Sequence, residues 1–446
     1  MSKYRTHPVD TDGWPPGIGH IVANEAAERF SYYGMRAILV IFMTTQLRDA
    51  TGQLAPMDEA EAKAWYHTFA SAVYFFPLLG AILADAWLGK YRTIIALSLV
   101  YCAGHLALAI DTTRTGLLIG LALIAVGAGG IKPCVSAHVG DQFGRRNAHL
   151  LSQAFGWFYF AINLGAFASM LLTPILLDQF GPHVAFGVPG LLMFVATVVF
   201  WSGRHRFAHV PAGGRAFVRE VFSSDGLGAL GRMFVVFAFV AMFWALFDQT
   251  GSTWVLQAER MDRRFLGIDW LSAQIQAVNP ILILVLIPVF NRWLYPAIER
   301  VFPLNPLRKI GLGFAVAVLA FLLPAWVEVR LLAGASVNIG WQLLSYVLMT
   351  SAEVMVSITC LELAYTQAPN RMKSVVMACF LLSVSAGNLL VAAFNAFVRL
   401  PDGSPRFAGA SEYLFWAAAM SATTLLYIPI ARRLRLKTWI QDAPHP

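Results

Sequence analysis

The chain is a succession of apolar segments of about 20 residues or more, separated by polar connections that are mostly short. A helix of this length crosses the ~30 Å hydrocarbon core of a bilayer. The pattern predicts an all-α membrane protein with about twelve transmembrane helices. The apolar segments cover residues 21–46, 66–86, 93–111, 116–138, 150–177, 184–202, 232–256, 271–296, 308–328, 339–366, 374–399 and 411–431.

The longest connection, residues 203–231, divides the chain into two halves of six predicted helices each. It predicts an N-terminal six-helix bundle over 1–202, a cytoplasmic linker over 203–231 and a C-terminal six-helix bundle over 232–446. Two six-helix halves joined by one long loop are typical of the major facilitator fold, in which the two bundles are pseudo-symmetric.

The distribution of charge indicates how the chain is oriented. Charged residues make up only 13% of the sequence, too few to cover a soluble surface, and the mean hydropathy is +0.61. Lysine and arginine are about twice as frequent in one alternating set of connections as in the other. The richer set includes Lys3, Lys90 and Arg145, and the poorer set includes Lys63 and Arg260. Both termini are therefore predicted to be cytoplasmic.

The same charges exclude other classes of protein. The formal net charge of +8 is explained by cationic loops that orient a membrane protein. No basic run is interleaved with aromatic residues as a nucleic-acid groove requires, so a lipid bilayer is expected as a partner and nucleic acid is not. The N-terminal segment has no apolar core and does not resemble a secretory signal. No sequence pattern indicates a metal site.

Ionisable residues inside the apolar segments indicate a polar interior, because a charge in the membrane is costly unless it is paired or hydrated. In the first segment, Glu25, Glu28, Arg29, Tyr32 and Arg36 follow helical spacing and fall on one face. Two carboxylates and two guanidiniums on one face favour a water-filled path; the alternative is a ladder of salt bridges that holds two helices together.

Depth predicts which of the remaining charges can meet. At ~1.5 Å per residue, Arg36 and Asp248 lie ~22 and ~24 Å from the cytoplasmic ends of their helices. Lys132 and Glu353 lie ~24 and ~21 Å from the extracellular ends. We predict that Arg36 pairs with Asp248 and Lys132 with Glu353, and that these two bridges between the halves act as gates. Asp85 lies in a segment that resembles the facilitator signature, Gly80 to Lys90, and is predicted to act at a cytoplasmic gate.

Several motifs together resemble the proton-coupled oligopeptide transporter family of the major facilitator superfamily. Glu25-Ala26-Ala27-Glu28-Arg29-Phe30-Ser31-Tyr32-Tyr33-Gly34 matches the family motif E-x-x-E-R-F-x-Y-Y-G. The similarity spans nearly the whole chain. It continues in Gly129-Gly130-Ile131-Lys132-Pro133, Phe158-Tyr159, Asn163-Leu164-Gly165, Phe243-Trp244, Asp248-Gln249, Gln276-Ala277-Val278-Asn279-Pro280, Glu353 and Leu361-Glu362.

The resemblance implies a role for each matched residue. Proton coupling would involve Glu25, Glu28 and Arg29, together with Asp248 and His67. Arg36 and Lys132 would face the carboxylate of a peptide, while Glu353, Asn163 and Asn279 would hold its amino group. The walls that receive the side chains of the peptide would be Tyr32, Tyr33, Tyr74, Tyr159 and Trp244. His67 also has a purely structural interpretation, since a histidine near a helix end is often a packing residue.

These roles imply a symporter that imports di- and tripeptides by alternating access, with protonation and substrate breaking the salt bridges between the bundles. The proton gradient would be its energy source and no cofactor is expected. It would not be an enzyme, and it would work as a monomer in a bacterial inner membrane. The connections at 203–231 and 329–338 are too short for the insertions that many family members carry there.

Three alternatives remain open from the sequence. The same fold moves nitrate, sugars and drugs. A membrane-embedded enzyme would need a Ser–His or paired-Asp site at membrane depth, and the sequence indicates none. A peptide sensor that signals without turnover is compatible with every motif above.

Overall fold

The structure is a computed structural model that describes residues 4–212, 224–366, 373–398, 400 and 404–434. It includes their side chains except at residues 85, 152, 224–227, 229, 365–366 and 373–375. The side chain of Asp85, predicted to act at a gate, lies outside the described residues.

The chain divides into two compact units. Unit 1 comprises Met1–Asp58 and Ala72–Arg219, and unit 2 comprises Glu59–Ser71 and Glu220–Pro446. The predicted bundle boundaries, 1–202 and 232–446, stay a prediction, as does the linker, of which residues 213–223 lie outside the described residues.

Unit 1 is built on a long buried helix, α1, which spans Ile18–Thr45 and packs along α5, Leu151–Ser202. Helix α2 spans Glu59–Leu83, with its residues before Ala72 grouped in unit 2, and a π turn at Ala84–Leu88 follows it. Helices α3, Lys90–Ile110, and α4, Arg114–Gly140, pack on each other, and α3 also packs on α5.

The label α5, Leu151–Ser202, covers two helices that correspond to the predicted segments 150–177 and 184–202 and that meet at a kink without an intervening loop. The chain changes direction at Gly181, where φ is 77°. A positive φ is readily adopted by glycine, and Pro182 directly after it cannot donate a helical hydrogen bond to the preceding turn. The polar connection predicted between the two helices is therefore reduced to a sharp bend.

Unit 2 packs α10 against α11 and α14, and α6 against α13. Its helices are α6 Ser224–Phe247, α7 Thr253–Glu259, α8 Val278–Val289, α9 Tyr295–Glu299, α10 Pro306–Leu332, α11 Gly340–Glu353, α12 Thr359–Thr366, α13 Lys373–Phe397 and α14 Ala410–Arg433. A short antiparallel hairpin pairs β1, Arg264–Phe265, with β2, Ile268–Asp269.

Several predicted membrane segments are interrupted where polar residues occur. A 3₁₀ turn at Asp248–Gly251 separates α6 from α7, and a π turn at Val354–Ile358 follows Glu353 and separates α11 from α12. A further π turn, Phe290–Leu294, separates α8 from α9. Such turns release backbone groups from the regular helical ladder and occur often at functional sites.

The helices confirm the predicted all-α membrane architecture. Ten helices of the described residues are long and apolar enough to cross a membrane, and one of them, Ala148–His205, contains the bend at Gly181 and provides two crossings. Helix α1 has 28 residues and is long enough as well, but it carries Glu25, Glu28, Arg29 and Arg36. With α1 and the bent helix counted in this way, the number agrees with the twelve segments predicted.

Candidate functional site

The first polar cluster is on α1 in unit 1. The Nε of Arg29 donates to Glu25 Oε1 at 2.6 Å and lies 3.1 Å from Glu28 Oε2. Glu25 and Glu28 are each 1% exposed and Arg29 is 9% exposed. The predicted spacing along the helix thus places the guanidinium of Arg29 between two buried carboxylates. One positive charge therefore compensates two carboxylates.

A second cation of unit 1, Lys132, lies between aromatic rings. Its Nζ is 4.1 Å from the ring centre of Tyr32 and 4.4 Å from that of Tyr74. A cation over an aromatic face is stabilised by about 0.5–2 kcal/mol, more when water is excluded. Two residues predicted to line a pocket therefore also hold the cation predicted to bind the peptide carboxylate.

Small residues on α2 and α4 permit this arrangement. A Cβ added to Gly80 would lie 2.4 Å from the carbonyl oxygen of Gly130, so the two backbones are in direct contact there. Lys132 is two residues beyond Gly130, and Tyr74 is on the preceding turns of α2. Pro133, inside α4, removes one backbone donor next to Lys132.

The remaining predicted residues of unit 1 lie on α1 and α5. Arg36 is 8% exposed, two turns beyond Arg29 on α1. The rings of Tyr32 and Tyr33 meet edge to face, with centres 5.1 Å apart. Asn163 is buried, and its amide donates to the backbone carbonyl of Tyr159, one turn earlier on α5, at 2.9 Å.

In unit 2 the central feature is a chain of hydrogen bonds that joins Asp248 to His67. The amide nitrogen of Asn388 donates to Asp248 Oδ2 at 2.5 Å, and the amide oxygen of Asn388 lies 2.7 Å from His67 Nδ1. On its other side, His67 Nε2 lies 2.8 Å from Ser252 Oγ. Asp248 is 1% exposed, and His67, Asn388 and Ser252 are completely buried.

The two ends of an amide are chemically different, and this determines the state of the histidine. Because the NH₂ group of Asn388 donates to a carboxylate, its oxygen faces His67 and must accept a hydrogen bond. His67 Nδ1 therefore carries a hydrogen, and Nε2 accepts from Ser252 when the ring is neutral. A protonated ring donates from Nε2 instead, and the Ser252 hydroxyl can rotate to accept. His67 can thus gain a proton without displacement of the heavy atoms around it.

Close packing of α13 on α6 brings Asn388 to Asp248. A Cβ added to the neighbouring Gly387 would lie 2.4 Å from the carbonyl oxygen of Ala241, so a larger residue would separate the two helices. Helix α6 ends at Phe247, and Asp248 begins the 3₁₀ turn.

Glu353 is held by a second asparagine of unit 2. The amide nitrogen of Asn279 donates to Glu353 Oε2 at 2.7 Å and lies 3.1 Å from Thr350 Oγ1. Glu353 is the last residue of α11, directly before the π turn. The structure therefore brings together two of the three residues predicted to hold a peptide amino group, while the third, Asn163, is in unit 1.

Trp244, predicted to line a pocket, is 8% exposed and packs against the rings of Phe247 and Phe380. Its indole Nε1–H has no hydrogen-bond partner among the described residues. An indole N–H that is buried without a partner can donate a hydrogen bond to a ligand oxygen.

Several other buried polar residues are not predicted by the sequence patterns. Lys63 was assigned to an extracellular connection, and this assignment is wrong: it lies on α2, 5% exposed, and its Nζ is 2.6 Å from Glu412 Oε2. Glu328, inside α10, is completely buried and accepts from Arg260 at 2.6 Å and from Gln257 at 2.9 Å.

The two predicted gates stay predictions. Arg36 and Lys132 belong to unit 1, whereas Asp248 and Glu353 belong to unit 2. Within their own units, Lys132 lies against aromatic rings, and Asp248 and Glu353 each accept a hydrogen bond from an asparagine.

Interrupted membrane helices and buried ionisable clusters are features of the major facilitator class of membrane proteins. The family model described as "POT family" matches residues 91–224 and 223–411. The chain belongs to this family.

Curated proteins are similar to this chain in sequence. "Peptide transporter family 1" of Drosophila melanogaster is 39% identical over 368 residues, which cover 71% of this chain and 48% of the relative. "Solute carrier family 15 member 1" of Homo sapiens is 37% identical over 383 residues, which cover 72% of this chain and 52% of the relative. The chain thus spans about half the length of the curated relatives it matches.

Solved structures are similar over nearly their full length. An auto-inhibited POT family peptide transporter is 36% identical, with a TM-score of 0.86 and coverage of 96% of this chain and 99% of that one. A proton-dependent oligopeptide (POT) family transporter is 37% identical, with a TM-score of 0.78 and coverage of 92% and 100%. These similarities confirm the predicted family and the major facilitator fold.

Proposed function

We propose that this chain is a proton-coupled symporter that imports di- and tripeptides by alternating access. It would act as a monomer in a bacterial inner membrane, with the proton gradient as its energy source and without a cofactor. The names of two similar proteins, "Peptide transporter family 1" and an auto-inhibited POT family peptide transporter, support the substrate class.

The observation that carries the proposal is a pair of cations in unit 1 and a pair of carboxylates in unit 2. Besides the α1 cluster, unit 1 holds Arg36, which is 8% exposed, and Lys132, which is partly buried. Unit 2 holds Asp248, which is 1% exposed, and Glu353, which is partly buried. A free peptide is a zwitterion and needs both a cationic and an anionic partner. Glu353 with Asn279 would receive the ammonium group, and Arg36 or Lys132 the carboxylate.

Proton coupling is assigned to two groups of residues. In unit 1, protonation of Glu25 or Glu28 would remove one of the two charges that hold Arg29. In unit 2, a proton on His67 would strengthen its bond to Asn388 and place a positive charge near Asp248. The first change alters a buried ion pair and the second adds a charge beside a buried carboxylate, and a buried charge that loses its partner is strongly disfavoured. Protonation would thereby release the predicted gates Arg36–Asp248 and Lys132–Glu353.

Uptake into proteoliposomes tests the proposal. The purified chain is reconstituted, and entry of radiolabelled dialanine is measured with and without an inward proton gradient. We expect accumulation above the external concentration only with the gradient, and its loss when a protonophore is added. Protein-free liposomes serve as the control.

The same assay separates the alternatives. Dialanine uptake that is the same with and without the proton gradient would exclude coupling to protons. Competition by sugar or nitrate, but not by dipeptides, would identify a different substrate. Dialanine binding without uptake would identify a sensor that does not transport.

A further inference from the structure

A cavity at one end of unit 1 is lined by none of the residues assigned above to proton coupling or peptide binding. It has a volume of roughly 320 Å³ and lies where the π turn after α2 meets the start of α3. The N-terminal residues Tyr4 and Thr6 and the segment 209–212 complete its wall. We call it the arm cavity. The distribution of Lys and Arg in the sequence assigns this end to the cytoplasm.

The wall of the arm cavity is cationic. It includes Lys90 and Arg92, and the described side chains of the wall include no carboxylate. Lys90 also forms a salt bridge with Asp141, which does not line the cavity: its Nζ lies 2.7 Å from Asp141 Oδ2. Burial lowers the pKa of His209, another wall residue, and the positive charges of Arg5 and Arg92 lower it further. The potential in the cavity is therefore positive.

His138 contributes a hydrogen-bond donor that has no partner. The side-chain oxygen of Gln142 accepts from the backbone N–H of Ala208 at 2.8 Å, so the amide nitrogen of Gln142 faces His138 Nδ1 at 3.5 Å. His138 Nδ1 is therefore the acceptor, and Nε2 carries the hydrogen of the neutral ring. His138 is 1% exposed and lines the cavity, and its Nε2 has no hydrogen-bond partner among the described residues.

The rim of the cavity is apolar. Trp87 is 74% exposed and Leu88 is 39% exposed. Tryptophan is enriched where a membrane protein meets lipid headgroups, and basic pockets beside membrane helices bind anionic headgroups. A cationic cavity with a buried N–H donor and an apolar rim fits a phosphate that is attached to acyl chains.

We propose that the arm cavity binds the phosphate group of an anionic phospholipid, with His138 Nε2–H and Arg92 as its donors and the acyl chains lying against Trp87 and Leu88. The site does not depend on the proposed transport function. It would bind the lipid whether or not peptide is being carried.

Native mass spectrometry of the purified full-length chain tests the site. The protein is titrated with phosphatidylglycerol and, separately, with phosphatidylcholine of the same acyl chains. His138→Phe keeps an aromatic ring against Phe200 and Phe207 but removes the donor. Arg92→Gln removes a charge from an exposed residue, so the fold is expected to tolerate it. Arg145→Gln, an exposed arginine outside the wall, is the matched control.

We expect the dissociation constant for phosphatidylglycerol to rise about tenfold in His138→Phe and in Arg92→Gln, since each loses one charge-assisted hydrogen bond. It should not change in Arg145→Gln, and phosphatidylcholine binding should be equal in all four proteins. Equal phosphatidylglycerol binding by the wild type and Arg92→Gln would overturn the proposal. Displacement of the lipid by millimolar inorganic phosphate would overturn the lipid assignment and identify a site for free phosphate.

Discussion

The α1 cluster of unit 1 and the Asp248–His67 chain of unit 2 stabilise buried carboxylates in different ways. On α1, one guanidinium lies within 2.6 Å of Glu25 and 3.1 Å of Glu28. Among the described residues, the Glu28 oxygens receive no hydrogen bond, so charge alone compensates them. In unit 2, by contrast, the neutral amides of Asn388 and Asn279 donate to Asp248 and Glu353.

The difference determines what a proton can do in each place. Adding a proton to Glu25 or Glu28 changes the balance of an ion pair, so its effect is a change of net charge. An asparagine cannot be protonated near neutral pH, so a proton on His67 acts on Asp248 through its positive charge and through the strength of the hydrogen bonds of Asn388. We therefore expect unit 2, unlike the α1 cluster, to depend on the geometry of a neutral side chain as well as on charge.

The largest effect is expected from Glu25→Gln and Glu28→Gln. A glutamine keeps the shape of the side chain but cannot take up a proton. Gradient-driven accumulation of dialanine should fall to the level of protein-free liposomes, while exchange of labelled for unlabelled peptide should survive. Both are measured in the same proteoliposomes.

His67→Gln is the counterpart in unit 2. If both α1 variants accumulate peptide normally and only His67→Gln fails, coupling resides in unit 2 alone and the role assigned to the α1 cluster is wrong.

The second prediction concerns the buried pair Lys63–Glu412. Removing one member leaves an uncompensated buried charge, which costs about 3–5 kcal/mol. Lys63→Met and Glu412→Leu should each lower the Tm in detergent strongly. The double variant should lose less Tm than the sum of the two single losses. The exposed pair Arg146–Asp12 is the control, and Arg146→Gln should leave the Tm unchanged. Strictly additive losses for Lys63 and Glu412 would contradict the pairing.

The third prediction tests geometry in unit 2. Asn388→Leu removes the donor to Asp248 and the acceptor for His67, and an orphaned buried polar group costs about 1–3 kcal/mol. The Tm should fall. Asn395→Leu changes another buried asparagine of α13, whose amide donates to the backbone carbonyl of Val391, and should cost less. Equal effects of the two variants would show that Asn388 is no more than a packing residue.

The smallest effect is expected from Glu353→Gln, which distinguishes a substrate anchor from a structural residue. If Glu353 receives the peptide ammonium group, the variant should bind free dipeptides about tenfold more weakly, because one hydrogen bond loses its charge. N-acetylated dipeptides lack that cation and should bind nearly as before. Competition against a labelled dipeptide measures both. Equally weakened binding of the free and the N-acetylated dipeptides would show that Glu353 acts through the structure of the protein and not through contact with the peptide ammonium group.

Ionisable residues at helical spacing inside apolar segments could be recognised from the sequence because charged residues are rare in such segments. Glu25, Glu28 and Arg29 were predicted to share a face, and the structure places them in contact. Lys132 was predicted at membrane depth, and it lies inside α4 between Tyr32 and Tyr74.

Asn388 and Lys63 could not be recognised as site residues from the sequence, for physical reasons. Asn388 is neutral, so a search for charge in apolar segments passes over it, and its partners are far from it in sequence. Lys63 was taken as a loop residue because Glu59 and Glu61 make the first turn of α2 polar. Helix ends of this kind depend on a buried partner such as Glu412, which only the tertiary structure identifies.

The bend at Gly181 has a consequence for how the protein is made. Because α5 continues through a single glycine with φ 77°, the two membrane crossings it contains share almost no loop. We therefore expect them to enter the bilayer during synthesis as a helical hairpin, with both halves inserted together. A side chain at residue 181 would oppose the positive φ and strain that hairpin at its tip. Gly181→Val should therefore reduce the yield of inserted protein in the membrane fraction, even though the residue touches no part of the transport site.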